Sequence, residues 1–189
     1  MEGFILNPRK SSKQNIKTTG IHLVQANNII KVGISSDGRY GPIANYQYAL
    51  KICYQLHQAG FRLGRRSRVV LLGYSGGGGI ALGAAEYLRR LTNSKIQVIT
   101  LCGVFSANHD LEKITTISTL VGTADPVAAI GQIAYPGRLP IIRNSNWNQT
   151  MIAGRVERSE LDGMSHSGDC GPFSSSFRSK VIDRILAEI

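Results

Sequence analysis

The chain has 189 residues, 42% of them hydrophobic and 18% charged, which is enough for one sizeable core and too little for two full domains. Its net charge of +10, from 22 Lys and Arg against 12 Asp and Glu, comes without aromatic interleaving or a nucleic-acid module, so no nucleic-acid partner is expected. Cys53, Cys102 and Cys170 are scattered and lack a CxxC spacing. Neither a disulfide framework nor a zinc site is indicated, and a reducing compartment is expected.

Residues 1–19 carry Arg9, Lys10, Lys13 and Lys17 around no long apolar core, and read as a basic, mobile extension rather than a signal peptide. Residues 20–189 read as one domain. Gly20–Val24 and Ile29–Ile34 are predicted strands, the second ending in the turn Ser35-Ser36-Asp37-Gly38. Ala44, Tyr48, Ile52, Cys53 and Leu56 then recur at helical spacing, with Gly60 as a stop signal. The basic run Arg62-Leu63-Gly64-Arg65-Arg66-Ser67-Arg68 leads into an apolar strand over 68–72. A helix over 79–91 and strands over 95–102 and 116–122 follow. Beyond Asp125, a stretch containing Pro126, Pro136 and Pro140 reads as irregular, and residues 126–150 are the only segment with room to form a lid. A last strand over 155–161 and a closing helix over 176–189 complete the pattern.

This alternation predicts an α/β fold of three layers, with a mainly parallel sheet of about six strands and helices on both faces. No apolar run is long enough to span a membrane. The expected location is cytoplasmic, with the basic clusters able to meet an anionic membrane surface peripherally.

One motif carries chemistry. In Gly73-Tyr74-Ser75-Gly76-Gly77 a serine stands between a buried strand and a helix, with glycine two residues to either side. A nucleophile elbow needs that context, because the strained turn crowds both second neighbours. The backbone N–H of Gly76 would face a developing oxyanion, and Tyr74 would border the substrate. The same glycines also satisfy G-x-G-x-x-A, as a dinucleotide site requires. However, the next strand ends without an acid, and no Gly-Lys-Ser or Gly-Lys-Thr marks a phosphate loop.

A nucleophilic serine needs an acid and then a histidine at later strand ends. Asp125 follows Val121-Gly122-Thr123-Ala124, and His166 lies in Gly163-Met164-Ser165-His166-Ser167-Gly168, after the last predicted strand. Asp110 and Asp162 are rival acids. As simpler alternatives, Ser75 is a turn residue, Asp125 a cap before proline and His166 a surface loop residue. Cys53 and Cys102 read as packed core thiols.

These three motifs in this order resemble the α/β-hydrolase superfamily over residues 20–189. More closely, the glycine-run elbow, the Asp-Pro-Val segment and Trp147-Asn148-Gln149 are similar to bacterial lipase-like hydrolases. The resemblance implies a serine hydrolase that cleaves carboxylic or lipid esters through an acyl-enzyme, with Ser75, Asp125 and His166 catalytic and no metal or organic cofactor. Ile130, Ile133, Tyr135 and Trp147 would line the acyl group. The sequence departs from the family in having no His-Gly motif before the elbow to supply a second oxyanion donor. The nearest substitute is the turn at Ser36. The segment before the elbow is also short, as in a trimmed fold or a fragment. The alternative from another class is a catalytically inactive domain of the same fold that binds a partner or lipid.

Overall fold

The computed structural model describes residues 28–189. The predicted strand Gly20–Val24 and the basic extension lie outside the described residues. The centre of the fold is a sheet of four parallel strands: β1 (Arg68–Tyr74), β2 (Lys95–Leu101), β3 (Thr116–Gly122) and β4 (Val156–Leu161). Their spatial order is their chain order, so each crossover steps in the same direction across the sheet. Six of seven residues are buried in both β2 and β3, the polar Gln97, Thr100, Ser118 and Thr119 among them. β4, at one edge, has three of its six residues exposed and one buried.

Residues 28–36 form a helix, α1. α2 (Gly41–Gln58) packs on α3 (Gly76–Thr92), the crossover from β1 to β2. On this face Leu82, Ala84, Ala85 and Leu88 of α3 meet Val69, Ile96, Val98 and Ile117 of the sheet. α4 (Pro126–Ala134) and α5 (Asn146–Ile152) follow β3, and α6 (Arg178–Ala187) covers the other face. There Val181 and Ile185 join Leu101, Leu120, Leu161 and Met164. Gln97 Nε2 donates to the Glu188 carbonyl at 2.7 Å, and Ser118 Oγ to the Glu188 carboxylate at 2.6 Å. These bonds fix the end of α6 across the sheet. The protein is therefore α/β, a parallel sheet flanked by helices.

Three expectations are corrected. The sheet has four strands among the described residues, not about six. Residues 29–34 are helical rather than extended. Their β-branched composition favours a strand locally, but Val32 packs over Gly76. At the end of the same helix, Ser35 donates to Asn45 of α2 at 2.6 Å while Asn45 Nδ2 returns a bond to the Ser35 carbonyl. Tertiary contact overrides propensity here.

The stretch after Asp125 is also more ordered than the prolines suggest. Asp125 caps α4 with Pro126 at its first position, and Ser145 caps α5 by accepting from Asn148 N–H. Asn148 Nδ2 donates to the Leu139 and Ile142 carbonyls, both at 2.8 Å, which ties the connection between the two helices down. No helix among the described residues is long and apolar enough to cross a membrane.

Candidate active site

Ser75 separates β1 from α3 and holds φ 53°, ψ −128°. Such a backbone costs a non-glycine residue about 1–3 kcal/mol and persists only where its surroundings impose it. Here Ser75 N–H donates to the Leu101 carbonyl, while its own carbonyl accepts from Gly78 and Val104 N–H. Gly73 is required because a Cβ there would fall on the Gly77 carbonyl. Gly77 is not crowded in return, since a Cβ on it would meet open space. The turn thus presses on one second neighbour, where the sequence motif suggested two. Gly76 opens α3, so its N–H has no acceptor within the helix.

Asp125 and His166 come from the ends of β3 and β4. The loops after these strands touch closely: a Cβ on Gly122 would overlap the Met164 carbonyl, which accepts from Ala124 N–H at 3.1 Å. This approach brings His166 Nδ1 to 3.0 Å from Asp125 Oδ2 and 3.1 Å from Oδ1, and His166 Nε2 to 2.9 Å from Ser75 Oγ. The Asp125 side chain is fully shielded from solvent and that of His166 is 14% exposed. Burial pushes the Asp125 carboxyl up, but bonds from His166, Ala128 N–H and Cys102 outweigh it and hold the group below the usual carboxylate range. An ionised carboxylate only accepts, so it selects the tautomer with the proton on Nδ1 and leaves Nε2 to accept from Ser75.

Asp125 serves the fold as well. Its Oδ1 accepts from Val127 and Ala128 N–H at 2.9 and 3.0 Å, so the cap reading and the acid reading describe one residue. The rival acids are engaged elsewhere. Asp162 accepts from Thr123 Oγ1 at 3.0 Å. Asp110 pairs with Glu86, whose carboxyl is raised to about 7 by burial and by Asp110, against the opposing pull of Arg90.

A carboxyl that ionises less readily folded than unfolded makes stability fall as pH rises from the ordinary glutamate value to about 7. Glu86→Gln is therefore expected to flatten the stability profile across that window, as measured by urea unfolding at a series of pH values.

The remaining sequence-predicted residues are dispersed. Tyr74 lies against His166 with ring centroids 5.3 Å apart, and its hydroxyl donates to the His166 carbonyl at 2.6 Å. It positions the histidine loop. Tyr74→Phe is expected to cost about 1 kcal/mol, read as a lower urea midpoint with unchanged slope. Ser36 lines a separate small cavity with Glu86, His109 and Asp110, and its hydroxyl is buried without a partner among the described residues. Trp147 is buried against Phe105, with ring centroids 4.8 Å apart, whereas Ile130 and Ile133 of α4 are exposed.

Cys102 was legible only as a core residue. It is indeed buried, but it holds φ 51° and its thiol reaches the Asp125 carboxylate. Burial, then the bond and charge of Asp125, push that thiol up to about 12. No spacing rule predicts this contact, which joins residues on different strand ends. Donor atoms of Cys102, Asp125 and His166 lie within 4.8 Å of one another. The set fits a metal poorly, because the Asp125 carboxylate already accepts from Val127 and Ala128 N–H and faces His166 Nδ1, while His166 Nε2 faces Ser75.

Chemically, a hydroxyl on an imidazole whose far nitrogen faces a carboxylate can lose its proton as it attacks an electrophilic carbon. Comparison of the whole chain with family models and with curated proteins finds no match.

Proposed function

We propose that the protein is a serine hydrolase of the α/β-hydrolase type, acting on carboxylic esters, lipid esters included. The observation that carries this reading is the hydrogen-bonded series Ser75–His166–Asp125, with the serine held in strained backbone at a helix start. Its order along the sheet supports the same reading, since the three residues follow β1, β4 and β3 respectively.

In the proposed reaction Ser75 Oγ attacks the ester carbonyl while His166 Nε2 takes its proton. Asp125 stabilises the resulting imidazolium, and Gly76 N–H donates to the oxyanion. Collapse of the tetrahedral intermediate breaks the bond to the alkoxy oxygen, which receives the proton from His166. Water, deprotonated by the same nitrogen, then attacks the acyl-enzyme and releases the carboxylic acid and free Ser75.

One observation favours a second reading, that of a binding domain without turnover. Ser36, in the turn expected to supply the second oxyanion donor, lines the cavity beside Glu86 instead. A fluorophosphonate probe separates the two readings. The hydrolase should carry one adduct, and peptide mapping should find it on Ser75. Absence of an adduct under conditions that label a control hydrolase would support the binding domain.

A further inference from the structure

A second cavity, of about 570 Å³, opens against the sheet beside α5. Thr100 of β2, Arg158 of β4, Arg138 and Arg143 from the α4–α5 connection, and the rings of Phe105 and Trp147 line it. None of the described residues lining it is acidic, and none is Ser75, Asp125 or His166.

Arg138 is its most constrained member. The guanidinium carbon lies 3.9 Å from the centroid of the Phe105 ring and 5.4 Å from that of Trp147. Its Nε and Nη1 are buried with no acceptor among the described residues, and Thr100 Oγ1 is buried and unpartnered as well. Arg158 has a partner, Glu160, at 2.8 Å; among the described residues no such carboxylate reaches Arg138.

Burial, then the charge of Arg158, lowers the Arg138 pKa to about 10, so the group remains a cation at neutral pH. Buried donors without acceptors are costly, and a buried charge without a counterion more so. An oxyanion removes both penalties, because the planar guanidinium presents parallel donors that match carboxylate or phosphate oxygens. The cavity is also large enough for a small organic molecule. Met151, Ile152 and the two rings give its walls an apolar portion.

We infer that this cavity binds a small organic oxyanion, its carboxylate or phosphate group on Arg138 with Arg143 and Thr100 beside it, and its apolar portion against Trp147 and Ile152. The site is separate from the one proposed to hydrolyse esters and does not depend on that activity.

The test is calorimetric titration of the whole chain with benzoate, phenyl phosphate, inorganic phosphate and neutral benzyl alcohol at constant ionic strength. Benzoate or phenyl phosphate should bind saturably at millimolar concentration or below, and benzyl alcohol should not. Whichever of the two binds more tightly identifies the head group. Inorganic phosphate should bind more weakly than phenyl phosphate if the apolar walls contribute.

Arg138→Gln should weaken binding about tenfold or more, the cost of a charged hydrogen bond. Arg143→Gln replaces an exposed side chain and so tests the site even if the buried substitution unfolds the protein; it should weaken binding several-fold. Ser75→Ala should bind as wild type does. The inference is overturned if no anion binds saturably, if benzyl alcohol binds equally well, or if Arg143→Gln leaves affinity unchanged. It is also overturned if binding is lost in Ser75→Ala, since the anion would then sit at the serine.

Discussion

Ser75→Ala is expected to lower hydrolysis of a p-nitrophenyl ester by about 10⁶-fold, the scale on which removal of a serine nucleophile acts. The substitution deletes the Oγ that sits 2.9 Å from His166 Nε2 and leaves the backbone of the elbow in place. Alanine is as strained as serine at φ 53°. The bonds from Ser75 N–H to Leu101 and from Gly78 and Val104 to the Ser75 carbonyl all belong to the main chain. Stability should therefore change by no more than about 1 kcal/mol, the value of one hydrogen bond. Turnover and melting must be measured on the same preparation. A Ser75→Ala protein that melts normally and keeps a tenth or more of the rate would remove Ser75 from the chemistry.

Asp125→Asn should lower turnover by up to about 10⁴-fold, because the imidazole loses both its tautomer and the stabilisation of its charged form. This substitution separates the two duties of the residue. An asparagine Oδ1 can still accept from Val127 and Ala128 N–H and cap α4. Its Nδ2 donates and cannot accept from His166 Nδ1. Asp110→Asn and Asp162→Asn should stay within about tenfold of wild type, since these carboxylates face Glu86 and Thr123. If Asp125→Asn remains active while either of the others collapses, the acid has been wrongly assigned even though the serine stands.

The same variant has a pH signature. The Asp125 carboxyl is held below its ordinary value in the folded protein, so the stability it contributes is present above the unfolded pKa and is lost as pH falls through the folded one. Asp125→Asn should therefore flatten the acid limb of the stability profile.

What the sequence determined alone was local. β1 announces itself within a few residues as the run Val69-Val70-Leu71-Leu72, although it lies at a sheet edge and only two of its seven residues are buried. The glycines and the serine at 73–77 mark a strand-to-helix turn, in which a Cβ at Gly73 would fall on the Gly77 carbonyl. Asp125 and His166 could be nominated as strand-end residues for the same reason. Even α4 was written locally, in an aspartate followed by proline, although the prolines farther along obscured it.

Tertiary structure alone decided what meets what. His166 lies 41 residues from Asp125 and 91 from Ser75. Their approach depends on strand order, on parallel register and on the contact of Gly122 with the Met164 carbonyl. No local pattern encodes these. The same holds for Cys102 beneath Asp125, for residues 29–34, helical where local propensity assigned a strand, and for Arg138 over Phe105. Backbone preference acts between neighbours in sequence, whereas burial, charge pairing and strain act between neighbours in space, which only the packed chain defines.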